Sequence, residues 1–399
     1  GARPAVRVGF VGAGFSAHLQ AEGLAKAAGP RVEWAAVAAG RRASAEQFAA
    51  DFGVRRVYDA YEALLDDPDV DLVCVCVPSL LHAEVAVAAA QAGKHIVCEK
   101  PLTGAFGLPD GLAGAERAER EWAAARRDAD QVRQAVQAAG VRFMYAENWV
   151  YAPAVAKIKR LLAVSGGSIL DIRAEESHSG SHAAKTRRRA AAGGGALLTM
   201  GAHPIGAALH LKAFEAGLRG AGPVGVVSVV AETAALYDSA AWRRAGHGWL
   251  VSDWDDVETW ANAALTFSDG STAAVTASFA MLGGVKNTIE VYTTNAAYRG
   301  NMTPSDSLEV FTPDPAAFGG EYLHEKIESR TGWIDAAPDE DWIRGYPQEM
   351  QDFVAAVADG REPLSGLALA ADVVDVVYAA YLSAAAGRRV YLAEVAGAA

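Results

Sequence analysis

The chain has 399 residues, 51% of them hydrophobic and 21% charged, with a formal net charge of −12. That length exceeds one ordinary core and predicts two domains, and the composition excludes a disordered chain. The acidic balance disfavours nucleic acid or an anionic membrane as partner, and no apolar run approaches the roughly 20 residues that span a bilayer.

Residues 6–11, 32–38, 72–77 and 95–98 read as strands, and 17–28, 43–52 and 82–92 as helices. Strand–helix alternation with β-branched apolar runs predicts a parallel sheet covered on both faces. Residues 104–114 read as a loop, 116–139 as a charged, alanine-rich helix and 141–146 as a further strand. Beyond residue 150 the pattern changes. Segments 168–175, 224–232, 257–267, 272–279 and 287–294 alternate like longer strands, with a hairpin signal at Ser268-Asp269-Gly270-Ser271. The expected class is therefore α/β: a Rossmann domain over 1–148, then an α/β domain over 149–399 with a large open, mostly antiparallel sheet. Two helices, 348–358 and 369–386, close the chain and are candidates to pack back on the first domain. The start, Gly1-Ala2-Arg3-Pro4, has no signal-peptide pattern, so a cytoplasmic location is expected. Cys74, Cys76 and Cys98 are an odd set without metal-ligand spacing and read as core residues.

Gly12-Ala13-Gly14-Phe15-Ser16-Ala17 follows the first strand and opens a helix. Gly12 permits a tight turn, Gly14 lets a pyrophosphate approach the backbone, and Phe15 and Ser16 begin the helix whose N-terminus favours negative charge. At the end of the second strand, Ala38-Ala39-Gly40-Arg41-Arg42 has no acid for a ribose hydroxyl pair. Arg41 and Arg42 either meet a 2′-phosphate or are solvated, which leaves NADP open beside NAD. Pro78 ends the third strand, and His82 either lines the cofactor or caps its helix. Glu99-Lys100-Pro101 places a lysine where a strand ends, aimed at the nicotinamide end.

These motifs, with Gly193-Gly194-Gly195-Ala196-Leu197-Leu198-Thr199-Met200-Gly201-Ala202-His203, occur in the order and spacing of one family. The chain resembles the Gfo/Idh/MocA oxidoreductases along nearly its whole length. The resemblance implies NAD, a sugar-like substrate, and assembly through the open sheet as a homodimer or homotetramer. It makes Lys100 and His203 catalytic, with Lys100 polarising the reacting oxygen and His203 acting as base. The aspartate of the family's Asp-x-Gly-x-His stretch falls on Thr199, which cannot hold an imidazolium. His203 then works without an acidic partner, or the substrate supplies that interaction.

The stretch Tyr145-Ala146-Glu147-Asn148-Trp149-Val150-Tyr151 matches the family's domain junction, and makes Asn148 and Trp149 substrate candidates. The stretch Glu175-Glu176-Ser177-His178-Ser179-Gly180-Ser181-His182, followed by Lys185, Arg187, Arg188 and Arg189, puts two histidines and four cations before the triple glycine. Such groups suit a carboxylate, phosphate or sulfonate, although a solvated basic loop reads equally from the sequence. A metal held by Glu176, His178, His182 and His203 matches no standard spacing. The two stretches also resemble the family's NAD-dependent glycosidase branch, its sulfoquinovosidases included. That implies oxidation at C3 of an anionic hexoside, elimination, hydration and reduction, with Tyr145, Tyr151, His178 or His182 serving C2. An ordinary sugar or inositol dehydrogenase is the alternative.

Overall fold

Short apolar runs build the first layer. The strands β1 (Val6–Val11), β2 (Val32–Ala38), β3 (Arg56–Tyr58), β4 (Leu72–Val75), β5 (His95–Glu99) and β6 (Phe143–Ala146) form a parallel sheet in the order β3-β2-β1-β4-β5-β6. The computed structural model describes residues 5–109, 111–181, 183–245, 248–303 and 308–394. Every residue of β4 and β6 is buried, as expected of strands covered on both faces. On one face Val8 and Phe10 pack with Ala17, Ala21 and Phe48 of the helices Phe15–Lys26 and Arg42–Phe52. On the other, Val73, Val75 and Ile96 pack with Val85, Ala89 and Trp122 of the helices His82–Gln91 and Gly114–Ala139. The strand order reverses between β1 and β4, so the crevice at their carboxyl ends is where this architecture binds ligands.

The second layer is a seven-stranded sheet. It contains β7 (Ile169–Ser177), β8 (Val226–Ala234), β9 (Trp260–Phe267), β10 (Thr272–Ser278), β11 (Lys286–Thr293), β12 (Ala297–Asn301) and, after a small hairpin of β13 (Glu309–Thr312) and β14 (Gly332–Asp335), β15 (Val390–Tyr391). The order is β12-β11-β7-β10-β9-β8-β15, and only β7 and β10 run parallel among the described strands. The sheet is thus mixed, because β7 reaches its place beside β10 by a long crossover rather than a hairpin. One face packs on the helix Ala202–Leu218 through Ile172, Ala174, Val275 and Ile289. The other carries Arg173, Val230, Ala264, Ala274 and Glu290 in one cross-strand row.

The C-terminal helices do not stay with the second sheet. Met350 and Phe353 of the helix Tyr346–Asp359 join the core of the first domain. In Leu367–Ala386, Asp375 accepts hydrogen bonds from Trp122 and Arg126, at 2.9 and 2.8 Å. That 20-residue helix has a mean hydropathy of 1.6 and is two-thirds buried, which corrects the expectation that no run reaches spanning length. Its apolar surface is used inside the protein.

Candidate active site

The glycine turn is shaped by close backbone approach. Gly12 has φ +108°, its N–H donates to the Ala38 carbonyl at 2.8 Å, and a Cβ there would lie 2.3 Å from the Cys76 carbonyl oxygen. At Gly14 a Cβ would meet nothing within 4 Å, so the space over the turn is open. No side chain caps the helix that follows, no acid sits in its first turn, and Phe15 is 71% exposed beside it. Free N–H groups at an open helix N-terminus fit a dinucleotide pyrophosphate.

Three cofactor assignments need qualification. Arg42 is tied to Glu46 at 2.8 Å and Asp59 at 2.6 Å, so its guanidinium is already paired. Arg41 stands exposed at the helix start. His82 is buried with its ring nitrogens 2.6 Å from the Pro101 carbonyl and 2.9 Å from the Val77 carbonyl. It therefore clamps the ends of two strands instead of lining the cofactor. Pro78 precedes the short turn Ser79–Leu81, and the Lys100–Pro101 peptide bond is cis.

β5 ends at Glu99, which delivers Lys100 to the mouth of the sheet. Glu99 accepts from Gln20 at 2.7 Å, and burial pushes its carboxyl up to about 7. The Lys100 ammonium donates to the Thr199 carbonyl oxygen at 2.5 Å. Thr199 thus acts through its backbone, and its hydroxyl is spent on the Gly195 carbonyl at 2.7 Å. Lys100 keeps two further donors.

Four residues after Thr199, His203 opens the helix Ala202–Leu218. It is not without an acid. Its Nδ1 lies 2.7 Å from Glu147 Oε1, on a fully buried carboxylate just past the end of β6. Trp149 lies parallel to the imidazole, 6.2 Å between centroids and 9° between planes. Burial lowers His203 to about 3, with the Lys100 charge adding to the fall, and burial raises Glu147 to about 8 against the pull of Lys100. Both directions follow from removing charge from water, and groups this close titrate as one unit.

The triple glycine holds this geometry. A Cβ on Gly195 would fall 2.0 Å from the Glu258 carbonyl, and the Glu258 carboxylate accepts from the backbone N–H of Gly195 and Leu197. Tyr381 donates to the same carboxylate at 2.7 Å.

Glu176 is the last residue of β7 on the side of Ile172 and Ala174, the face toward the His203 helix. Its Oε2 is buried without a partner among the described residues, and the charges of His203 and Lys100 act on it while burial raises its pKa. Asn287, paired with it across β11, has a buried Oδ1 equally without a partner. Both acceptors thus sit at paired positions of adjacent strands with hydrogen-bonding capacity unused among the described residues.

Other expected site residues are committed elsewhere. Asn148 Nδ2 donates to the Arg344 carbonyl at 2.9 Å, and Trp149 is 1% exposed, so neither meets a substrate directly. The Tyr151 hydroxyl donates to Asp352 at 2.8 Å and accepts from the Ser365 N–H, inside the first domain's core. Tyr145 is fully buried, and burial pushes its hydroxyl far above the ordinary range, which removes it as a base. His178 accepts the Gly180 N–H through Nδ1, and burial lowers it to about 3. His182 lies outside the described residues.

The cations after it are mostly neutralised by one acidic segment. Arg187 pairs with Asp253, Arg188 with Asp255 at 3.1 Å, and the Arg189 N–H donates to Asp256 at 2.6 Å. The Arg189 guanidinium is turned inward, 2.9 Å from Glu121 and 3.6 Å from Glu258, over the ring of Tyr381. This overturns the anion-binding assignment of Arg187 and Arg188: both guanidinium charges already have carboxylate partners. Lys185 is exposed, with no ion pair among the described residues.

Sequence reasoning missed Glu147, Asn287 and Arg344, and weighed Glu176 only as a metal ligand. The one available signal was an acid at position 147 in an otherwise apolar run, opposite a motif lacking its own acid.

Comparisons with known proteins bear on the family and the fold. The family model described as "Oxidoreductase family, NAD-binding Rossmann fold" matches residues 6–132, and that of the GFO/IDH/MocA C-terminal domain matches 155–299. Levoglucosan dehydrogenase of Pseudarthrobacter phenanthrenivorans is 40% identical over 105 residues, 24% of this chain and 26% of that protein. A dTDP-3,4-didehydro-2,6-dideoxy-alpha-D-glucose 3-reductase of Streptomyces violaceoruber is 33% identical over 54% of this chain and 57% of its own. The first relatives therefore align over only about a quarter of their own length. Among solved structures, GenD2 from gentamicin A biosynthesis in complex with NAD matches with TM-score 0.78 and 27% identity, over 98% of this chain and 97% of that one. Levoglucosan dehydrogenase in complex with NADH, at 22% identity and TM-score 0.73 over 98% of this chain and 99% of that one, shares the fold. With an NAD-binding Rossmann domain and the family's own C-terminal domain matched in order, the chain belongs to the Gfo/Idh/MocA oxidoreductase family.

Proposed function

We propose that the protein is an NAD-dependent dehydrogenase that oxidises a secondary hydroxyl of an uncharged sugar or cyclic polyol. The observation that carries this reading is the convergence of Lys100 with the His203–Glu147 pair at the carboxyl end of the first sheet. Bound NAD supplies the hydride acceptor. The protein's own work is on the proton. Lys100 donates to the substrate oxygen and stabilises the developing alkoxide, while His203 Nε2 takes the hydroxyl proton. Glu176 and Asn287 accept hydrogen bonds from the substrate's other hydroxyls.

Relatives named as levoglucosan dehydrogenase, D-xylose 1-dehydrogenase and myo-inositol 2-dehydrogenase support this substrate class. Hydrolysis of an anionic glycoside such as a sulfoquinovoside has no such support, because the arginines that suggested an anion are paired with Asp253 and Asp255. The open face of the second sheet, with Val230 40% exposed, supports assembly as a homodimer or homotetramer.

The test is a panel of free sugars, cyclitols and aryl glycosides, neutral and anionic, with NADH and aglycone followed together. NADH forming in step with oxidised neutral substrate is expected. Aglycone released in excess over cofactor, with no lasting NADH, overturns the reading in favour of redox-neutral hydrolysis.

A further inference from the structure

We infer that Glu147 replaces the carboxylate missing at position 199, so that Glu147 and His203 accept the substrate proton as one unit. This rests on the dehydrogenase reading above and deepens it at the same pair. Three observations carry it. Glu147 Oε1 is 2.7 Å from His203 Nδ1, and both side chains are buried. The carboxylate is fixed from its own side by the Trp149 N–H, which donates to Oε1 at 3.3 Å. The helix bearing His203 makes room for it: a Cβ on Gly206 would lie 3.0 Å from Glu147 Cγ and 3.2 Å from Oε2.

The chemistry follows from the donor inventory. Burial raises the Glu147 carboxyl to about 8; above that pH it is ionised and only accepts, so it holds the hydrogen on Nδ1 and leaves the Nε2 lone pair for the substrate. As the substrate O–H bond breaks, its proton goes to Nε2. The Nδ1 hydrogen moves toward Oε1, and the pair goes from one negative charge to none. The C–H hydride leaves to the nicotinamide, and the alcohol carbon becomes a carbonyl. Oε2, without a partner among the described residues, gives the carboxyl a second place for the hydrogen.

Charges around the pair come from several elements. They are Lys100 and Glu99 at the end of β5, Glu176 on β7, Glu349 on the helix Tyr346–Asp359, and Arg344 before it. Lys100 favours the ionised pair, and the three other carboxyls oppose it.

Glu147→Gln tests the role. An amide donates toward Nδ1 and turns the imidazole to the wrong tautomer, so kcat should fall about 10²–10⁴-fold with KM within about threefold, as for other carboxylate–histidine pairs. Adding Thr199→Asp should restore at least about tenfold, because the carboxylate returns from the other side. The second readout needs neither substrate nor cofactor. In ¹⁵N-histidine NMR of the wild-type protein above pH 8, His203 should show Nδ1 protonated with a downfield proton, and that signal should change as Glu147 gains its proton on acidification. A Glu147→Gln variant that keeps kcat within threefold, or a wild-type His203 resonance in the Nε2–H tautomer above pH 8, overturns the inference. If the resonance behaves as stated but no hydroxyl is oxidised, the dehydrogenase reading fails and the pair stands.

Discussion

Each buried carboxyl should draw stability from the cofactor-free protein as pH rises through neutrality, and Glu147 most measurably. Burial raises Glu99 to about 7 and Glu147 to about 8, from an ordinary value of 4.5, and also raises Glu176 and Glu349. A carboxyl raised in the folded state keeps its proton where the unfolded chain has lost it. Folding then binds protons, and stability falls with pH between the unfolded and the folded pKa. Five wholly or partly buried histidines, His82, His95, His178, His203 and His210, are all lowered. Their contribution has the opposite sign, and from pH 6.5 to 7.5 they together return up to about 1.8 kcal/mol as unfolded histidine finishes titrating. The carboxyls are therefore isolated by comparing the wild type with a variant over that interval. Integrating the bound proton over it gives about 1.2 kcal/mol for Glu147 and about 0.7 for Glu99, or about 2 kcal/mol together. Urea unfolding at constant ionic strength measures the difference. Relative to the wild type, Glu147→Gln should shift that difference by about 1.2 kcal/mol in favour of the higher pH. An unaltered slope in the variant would refute the assignment of a buried, protonated Glu147.

Gly12→Ala should weaken NAD binding about 10–100-fold in a fluorescence titration, because its Cβ would fall 2.3 Å from the Cys76 carbonyl at a φ of +108°. Unchanged affinity would show that the turn can shift. The arginines should separate by burial. Arg188→Ala, which breaks an exposed pair with Asp255, should change stability by less than about 1 kcal/mol and leave the preference between anionic and neutral sugars unaltered. Arg189→Ala leaves Glu121 and Glu258 facing a lost charge and should cost about 3–5 kcal/mol in chemical denaturation.

Local signals decided much of this protein. Apolar runs 6–11 and 72–77, each broken by Gly or Pro, specify β1 and β4 because a strand buried on both faces must be apolar throughout. Gly12 was legible because only glycine tolerates that turn, and Lys100 because a strand ends just before it. The family resemblance located His203. Several other expectations came from residue type without knowledge of partners. Arg187 and Arg188 read as an anion site, but their charges meet Asp253 and Asp255, about 66 residues away in sequence. Tyr151 and Asn148 read as substrate contacts, but they bond to Asp352 and the Arg344 carbonyl, about 200 residues away. The missing acid at Thr199 left His203 without a partner in sequence, and the fold supplies Glu147 from 56 residues upstream. Periodicity and turn chemistry act over a few residues, so sequence alone set the strands, the turns and the position of the lysine. Charge pairing and proton sharing act through space over about 3 Å, so only the packing of the turn Asn148–Val150, just past Glu147, against the helix Ala202–Leu218 decided which carboxylate serves the base.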